Sequence, residues 1–267
     1  MSWITILLLT GSLNLPQPPV AVGEIRLEPV PVSSQTWIGR QWNANRFQDW
    51  ALSDGKIQCI NSQLKDPIRT AIWLPDDFEP QGKPLRWSVD LNLPGDKERR
   101  HAGSFAGLIF GIGGPEIDHR IRAIVHDKPA VDGGMLAVVE TDGRVGFRDF
   151  STGGGGGSWS VGGPLKEGSV SLLENQQRSG EGGPGPWRLT LEFEPGDDEL
   201  GRMNLKVTDA AGKELSRASL EGLSPQQVDG SFGLVSHLGQ KGGRQGWEFS
   251  SFRARGEGDR KSTRLNS

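Results

Sequence analysis

The sequence has 267 residues, a formal net charge of −3 at neutral pH and a single cysteine, and 34% of its residues are hydrophobic. A mean hydropathy of −0.46 excludes a chain built mainly of membrane-spanning segments, and the acidic balance leaves no basic surface for nucleic acid. The 39 glycines and 17 prolines separate short apolar runs, as in a thin two-layer protein with many turns. The length suits one all-β domain.

The amino terminus carries the features of an export signal. An apolar run, Ile4–Leu9, precedes a proline-containing stretch and the small-x-small triplet Ala21-Val22-Gly23. The run is too short to span a bilayer, and the pattern is typical of a secretory signal peptide. We therefore expect residues 1–23 to be removed and the mature chain, without a membrane span, to be secreted or periplasmic. The alternative is a buried first strand.

Segments in which apolar and polar residues alternate recur from the first third of the chain to its end. They are Leu85–Leu91, Met135–Glu140, Arg144–Phe150, Trp187–Phe193, Met203–Thr208, Ser231–Ser236 and Trp247–Arg253. Alternation of this kind marks half-buried antiparallel strands. The chain therefore predicts an all-β protein, with roughly twelve strands in two packed antiparallel sheets.

Four dipeptides between these runs suit the positive φ angles of tight hairpin turns, namely Asp54-Gly55, Asp142-Gly143, Ala211-Gly212 and Asp229-Gly230. Little helix is predicted. The best helical segment is Leu223–Val228, opened by Ser224 as cap and Pro225 in the first turn. A second helical candidate is part of Ile117–Val125.

The tryptophans and the cysteine are predicted core residues, with one exception. Nine tryptophans and no tyrosine occur, and most lie in strand patterns beside apolar neighbours, as do Trp73, Trp87, Trp187 and Trp247. Cys59 lies in an alternating run and is expected to be a small buried residue rather than a reactive thiol. The exception is Trp159, which follows the glycine run 153–157 and is a candidate contact for a ligand or partner.

Two groups of residues resemble known families. The run Ser231–His237 and the segment Gly246–Ala254 resemble the closing strands of laminin-G-like and concanavalin A-like jelly rolls. The segments around Gly107, Glu116-Ile-Asp-His-Arg and Asp142-Gly-Arg-Val-Gly-Phe are similar to the amino-terminal region of secreted alkaline phosphatases of the D type. The resemblance covers about residues 36–256. It implies a jelly-roll β-sandwich that precedes a metallophosphatase domain.

The chemistry of such enzymes is not complete in this chain. A metallophosphatase needs two metals held by Asp, His and Asn, typically from Asp-x-His, and this sequence has four histidines and no Asp-x-His. Laminarinase-type jelly rolls use Glu-x-Asp-x-x-Glu. Glu116 and Asp118 begin that pattern, but Arg120 and Ile121 stand where the second glutamate belongs, and a retaining glycosidase needs two carboxyls. We expect no catalytic residue, no metal ligand and no cofactor.

One polar strip is a candidate binding surface. If residues 117–126 are extended, alternate side chains share a face and the polar ones are Asp118, Arg120, Arg122 and His126. Such strips are commonly the solvated side of a sheet. The sharper hypothesis is a contact surface for a sugar, an anion or a following domain.

The last nine residues are unusual. Asp259–Ser267 matches, codon for codon, the translation of a common sequencing adapter. We expect this tail to be an artefact, so that the natural protein continues past Gly258 and the β-sandwich comprises residues 24–258.

Three functions remain open from the sequence. The first is an accessory or recognition domain that binds a polysaccharide or packs beside a lost downstream catalytic domain. The second is a glycoside-active enzyme of the 3-keto-disaccharide hydrolase-like or laminarinase-like jelly-roll type. The third is a purely structural surface module.

Overall fold

The protein is built from strands that form two antiparallel sheets. The computed structural model describes residues 38–39, 41–60, 68–73, 84–92, 104–113, 133–140, 144–150, 170–171, 186–197, 200–237 and 246–256. The strands in these ranges are β1 (Trp42–Ala44), β2 (Trp50–Ser53), β3 (Lys56–Cys59), β4 (Arg69–Trp73), β5 (Leu85–Asn92), β6 (Phe105–Gly113), β7 (Met135–Glu140), β8 (Arg144–Asp149), β9 (Val170–Ser171), β10 (Trp187–Pro195), β11 (Gly201–Thr208), β12 (Glu214–Leu223), β13 (Gly230–His237) and β14 (Glu248–Gly256).

Each sheet contains seven of these strands. Sheet 1 has the order β1-β4-β13-β6-β7-β8-β9, and sheet 2 has the order β12-β11-β10-β5-β14-β3-β2. Pairing between the described strands is antiparallel in both sheets. Strands far apart in sequence are neighbours, since β14 pairs with β5 and β13 lies between β4 and β6. The predicted two-sheet, all-β architecture is confirmed.

The main core lies between the sheets. Sheet 1 contributes residues such as Leu108 and Ala137, and sheet 2 contributes residues such as Val89 and Leu191, all of them buried. In β5, β10 and β11 the buried residues alternate with half-buried or exposed ones, as the sequence pattern predicts, except that Thr190 and Thr208 are also buried. Sheet 2 therefore has one face in the core and one face toward solvent.

The tryptophan prediction is confirmed. Trp87 and Trp187 are 2% exposed and Trp247 is fully buried, while Trp73 is 7% exposed. Trp187 and Trp247 lie with ring centroids 6.3 Å apart, and Cys59 is fully buried in the same core. The rings fill the space between the sheets rather than forming a sugar platform on the surface.

Sheet 1 differs from sheet 2 because both of its faces are buried. Every residue of β4, β6, β7 and β13 is buried. A second apolar cluster occupies the face turned away from sheet 2, and it includes Ile72, Phe105, Ile109, Leu136 and Val235. The central strands of sheet 1 accordingly read as near-continuous apolar runs.

Turns and the short helix follow local sequence. Asp54 and Gly55 have φ of +51° and +70° and join β2 to β3, as a two-residue hairpin with positive φ at both central positions requires. The predicted helical turn is present as α1 (Pro225–Val228), where the Ser224 N–H donates to Gln227 Oε1 at 2.9 Å.

Two of the remaining local predictions fall outside the described residues, and one is wrong in detail. The turn at Asp142-Gly143 and the segment Ile117–Val125 belong to the undescribed ranges. Asp229-Gly230 does not close a hairpin. It leads from α1 into β13, and Gly230 takes a φ of +108° there. A dipeptide suited to positive φ serves either connection equally well.

A buried ion pair lies beside β4. A 3-10 turn (Phe47–Asp49) follows β1 and brings Asp49 to Arg69, the first residue of β4. Asn45 joins the segment after β1 to the start of β4, because its Nδ2 donates to the Ile68 carbonyl and its Oδ1 accepts from the Thr70 N–H, each at 2.8 Å. The side chain of Asn45 thus bonds to the backbone where β4 begins.

Candidate functional site

The five predicted ligand-binding side chains belong to two connections outside the described residues: Asp118, Arg120, Arg122 and His126 between β6 and β7, and Trp159 between β8 and β9. Glu116, the carboxylate considered for a glycosidase, belongs to the first of these connections. Their part in binding stays a prediction, and the described strands establish only where the two connections begin and end.

The two connections begin at neighbouring strand ends on one side of sheet 1. Phe110 near the end of β6 lies opposite Met135 at the start of β7, and Met135 lies opposite Asp149 at the end of β8. The Phe150 N–H donates to the Gly134 carbonyl at 3.0 Å, which joins the residue just after β8 to the residue just before β7. Since neighbouring strands are about 4.8 Å apart, the three strand ends lie within roughly 10 Å.

The helical turn α1 supports this end of the sheet. Gly111 of β6 has a φ of +68°, and a Cβ placed on it would lie 2.0 Å from the Gln227 carbonyl oxygen. Only glycine lets the backbone of β6 pass so close to α1. Just beyond, Gly113 pairs with Gly230 at the start of β13. The strand end from which the Asp118–His126 connection leaves is therefore fixed by backbone packing.

The opposite end of sheet 1 holds a buried charged cluster that we name the Glu140 cluster, formed by Glu140, Arg144, Arg148, Phe105 and His237. Glu140 ends β7 and its side chain is fully buried. Its Oε1 accepts a hydrogen bond from Arg148, and Arg144 Nη2 lies 2.5 Å from Oε2 as an ion pair that is not aligned as a hydrogen bond. The two carboxylate oxygens thus face different guanidinium groups.

Aromatic rings complete the Glu140 cluster. The Arg148 guanidinium carbon lies 5.1 Å from the centroid of the Phe105 ring, within the range of a cation–π contact. Phe105 lies opposite Glu140 on one side and opposite His237 on the other, with 5.3 Å between the Phe105 and His237 ring centroids. Strands β13, β6, β7 and β8 each supply one or two of its members.

The Glu140 cluster ties strand ends together. Its single carboxylate is occupied by two arginines and shielded from solvent, whereas a retaining glycosidase needs two carboxyls about 5 Å apart. None of its residues was among the predicted site residues. One feature of the sequence could have predicted it. The apolar run of β7, buried on both faces, ends in Glu140, and the next strand carries Arg144 and Arg148. A buried carboxylate requires a charged partner, which these arginines can supply.

The outer face of sheet 2 is charged and solvated. Arg188 contacts both carboxylate oxygens of Asp90, at 2.6 and 2.9 Å, and the hydrogen bond raises the pKa of Arg188. Glu214 meets both Arg217 and Lys206, and hydrogen bonds from Arg217 and then Lys206 lower the pKa of the Glu214 carboxyl. Ion pairs between solvent-exposed side chains therefore cover much of this face.

In the part of the chain that the structure describes, no three histidine, cysteine or carboxylate side chains come together in a way that could hold a metal ion. The helices found there are too short or too polar to cross a membrane.

Comparison with known proteins identifies the fold. No protein-family model and no curated protein sequence matches the chain. Among solved structures, lectin II from Ulex europaeus aligns with a TM-score of 0.52 at 8% identity, over 84% of this chain and 97% of the lectin. Arcelin-5, a lectin-like defense protein from Phaseolus vulgaris, aligns with a TM-score of 0.51 at 7% identity, over 85% and 98%.

The exoplasmic/lumenal domain of VIP36 in its mannose-bound form aligns with a TM-score of 0.49 at 10% identity, over 80% of this chain and 82% of that domain. Identities this low establish a shared fold and nothing more. The similarity to D-type alkaline phosphatases stays a prediction from the sequence. The two alignments above a TM-score of 0.5 show that the chain has the concanavalin A-like jelly-roll β-sandwich fold.

Proposed function

We propose that this chain is a non-catalytic carbohydrate-recognition β-sandwich. The observation that carries the proposal is that two connections start from the same end of sheet 1, where the three strand ends share the register Phe110–Met135–Asp149. One connection contains the polar strip Asp118–His126 and the other contains Trp159. The fold shared with a protein named as a lectin supports the same function.

The residue types suit a sugar. A carboxylate such as Asp118 accepts hydrogen bonds from sugar hydroxyls, and the guanidinium groups of Arg120 and Arg122 donate them in a fixed planar fork. An indole ring such as Trp159 offers a flat apolar face for a pyranose ring. Binding sites of this kind combine a few polar groups with apolar surface.

The experiment is a binding measurement with the full chain. Calorimetry against a panel of neutral polysaccharides should identify a ligand, and the double variant Arg120→Ala/Arg122→Ala and the single variant Trp159→Ala should each weaken binding at least about tenfold, through lost hydrogen bonds or stacking. The control Arg202→Ala, which changes an exposed side chain on β11 of sheet 2, should bind normally. Absence of binding to every glycan, or binding that none of the variants alters, would overturn the proposal.

The proposal includes a longer, exported protein. Cleavage near Gly23 and a metallophosphatase domain after Gly258 rest on sequence pattern and resemblance. Amino-terminal sequencing of exported protein tests the cleavage, and a protein that still begins at Met1 would contradict it. Sequencing the gene beyond Gly258 tests the second, and a stop codon immediately after Gly258 would contradict it.

The enzyme alternative is tested separately. The full chain should release no sugar from β-glucan or from 3-keto-disaccharides, because the second carboxylate of a glycosidase is missing from the Glu116 motif. Turnover that disappears in Glu116→Ala would establish an enzyme instead.

A further inference from the structure

The hairpin turn between β2 and β3 places an exposed carboxylate directly before a glycine. Asp54 and Gly55 are its two central residues, and Ser53 pairs with Lys56 across its base. Asp54 is exposed to solvent. In a two-residue hairpin the flanking pair supplies the last ladder hydrogen bonds, so the N–H of Gly55 lies outside the ladder. The carboxyl group of Asp54 is therefore next to a peptide nitrogen that no strand pairing engages.

Neither group is held by a neighbour. Within the ranges that the structure describes, no group forms a hydrogen bond or an ion pair with the Asp54 carboxylate. Lys56 is the nearest cation along the chain, and its Nζ pairs with Glu248 at 3.2 Å instead. Because glycine has no side chain, nothing on Gly55 hinders an approach to its nitrogen. The Asp54 side chain is thus free to turn toward the backbone that follows it.

The strand that leads into this turn is weakly held. β2 is the last strand of sheet 2, and of its four residues only Trp50 is buried, at the end remote from the turn. Segments with few buried contacts at the edge of a sheet open locally at a small cost in free energy. The backbone around Asp54 and Gly55 can therefore change conformation while the rest of the sheet stays paired.

A second Asp-Gly step in the chain has the opposite setting. The Asp229 N–H donates to the Pro225 carbonyl at 2.8 Å, at the end of α1. Gly230 is buried and pairs with Gly113 of β6 as the first residue of β13. Both neighbours of β13 are strands of sheet 1, so a change of backbone conformation there requires a larger opening. The same dipeptide thus occurs once in an exposed turn and once in a fixed connection.

We propose that Asp54 is a site of spontaneous aspartate isomerisation. The nitrogen of Gly55 attacks Cγ of the protonated Asp54 side chain, the N–Cγ bond forms and the Cγ–OH bond breaks. The hydroxyl group leaves as water with the proton of the Gly55 N–H, and a succinimide ring remains. Water then opens the ring. Cleavage of the N–Cγ bond restores aspartate, whereas cleavage between the nitrogen and the main-chain carbonyl carbon gives isoaspartate. No oxidant or reductant takes part.

The product carries a new chemical group and a longer turn. In isoaspartate the main chain passes through Cβ and Cγ, so the turn gains one backbone atom and the α-carboxylate becomes a side group. A hairpin with positive φ at two central residues does not accommodate the extra atom, and pairing of β2 near the turn should weaken. The free α-carboxylate makes the residue a substrate for a carboxyl methyltransferase, which transfers a methyl group from S-adenosylmethionine to a carboxylate oxygen. The site does not depend on carbohydrate binding.

The test follows isomerisation in the full chain. Native protein is incubated at mildly acidic pH and digested, and the isoaspartate in each peptide is measured by methyl transfer from labelled S-adenosylmethionine. The peptide with Asp54 should gain isoaspartate at least about tenfold faster than the peptide with Asp229, because Asp229 reacts only when its strand opens. In denaturant the two rates should converge, since both residues precede glycine. A native rate ratio no larger than the ratio in denaturant would overturn the proposal.

Two variants test the chemistry. Asp54→Glu should abolish methyl transfer to the peptide that contains residue 54, because ring closure would then require six atoms. The matched control Asp229→Glu should leave that signal unchanged. Methyl transfer that persists at the same peptide in Asp54→Glu would assign the signal to another residue and contradict the proposal. Asp142-Gly143 lies outside the described residues and is measured in a separate peptide. The comparison of rates uses the unaltered chain, so it is independent of any effect of substitution on folding.

Discussion

Arg69 Nε donates to Asp49 Oδ2 at 2.6 Å, and the two side chains are 0% and 4% exposed. Separating such a pair is expensive, since the remaining charge loses its counter-ion inside the protein. Asp49→Ala should therefore lower the free energy of unfolding by about 3–5 kcal/mol, measured by urea denaturation. The control Glu221→Ala breaks the exposed ion pair with Arg202 and should cost less than about 1 kcal/mol. Similar losses in both variants would contradict the prediction.

Two glycines with positive φ make it possible to measure the free-energy cost of a steric clash separately from the cost of backbone strain. Gly111 has a φ of +68° and no room for a Cβ against the Gln227 carbonyl, while Gly212 has a φ of +83° with nothing within 4 Å. Gly212→Ala should cost about 1–2 kcal/mol for a left-handed residue, and Gly111→Ala should cost more, roughly 3 kcal/mol or above. Chemical denaturation of both variants measures the difference. A Gly111→Ala protein as stable as Gly212→Ala would show that α1 moves away freely.

The lowered pKa of the exposed Glu214 carboxyl predicts that the stability of the fold depends on pH. Hydrogen bonds from Arg217 and Lys206 hold the pKa of Glu214 below its ordinary value. A carboxyl with a lowered folded pKa stabilises the fold above the unfolded pKa of about 4.3, and the contribution is lost as the pH falls through the folded pKa. The wild type should thus exceed Glu214→Gln in stability above about pH 5, and the gap should close on acidification. A gap that widens toward low pH would refute this.

Cys59 should be chemically inert in the folded protein. Its side chain is fully buried, and its N–H donates to the Trp247 carbonyl at 3.0 Å. A thiol must reach solvent as the thiolate to react. A thiol-specific colorimetric reagent should label Cys59 in denaturant and leave the native protein unlabelled over the same interval. Rapid labelling without denaturant would mean that sheet 2 opens locally around β3, which lies between β14 and the edge strand β2.

The sheet 2 strands could be predicted from sequence because one face is solvated. Trp187–Phe193 and Met203–Thr208 alternate strictly, so their period and their buried side could both be recognised. β6 and β12 were harder. β6 is buried on both faces and has no period-2 pattern, and β12 contains register shifts against β11 that interrupt its alternation.

Functional surfaces were less predictable because they depend on register between distant strands. Arg253 of β14 and Lys206 of β11 lie in strand patterns, yet nothing local indicates that the register aligns both of them with the β5–β10 pair Ser88 and Thr190. The register of β14 against β5 also shifts between Ser250 and Arg253, where Ser251 has a φ of +52°, and composition does not predict this bulge because serine rarely takes a positive φ. The Glu140 cluster likewise joins β13, β6, β7 and β8. The residues Asp118, Arg120, Arg122, His126 and Trp159 remain predictions that the experiments above test.

The burial of both faces of sheet 1 has a consequence for how the protein can vary. In sheet 2, alternate positions of β5, β10 and β11 are half-buried or exposed, apart from the buried Thr190 and Thr208, and should accept most polar residues. In β6, β7 and β13 no position has that freedom. In a library of single substitutions, the tolerance of polar residues should therefore alternate with a period of two along the strands of sheet 2. It should be uniformly low along the central strands of sheet 1. Divergence between related chains should collect on sheet 2.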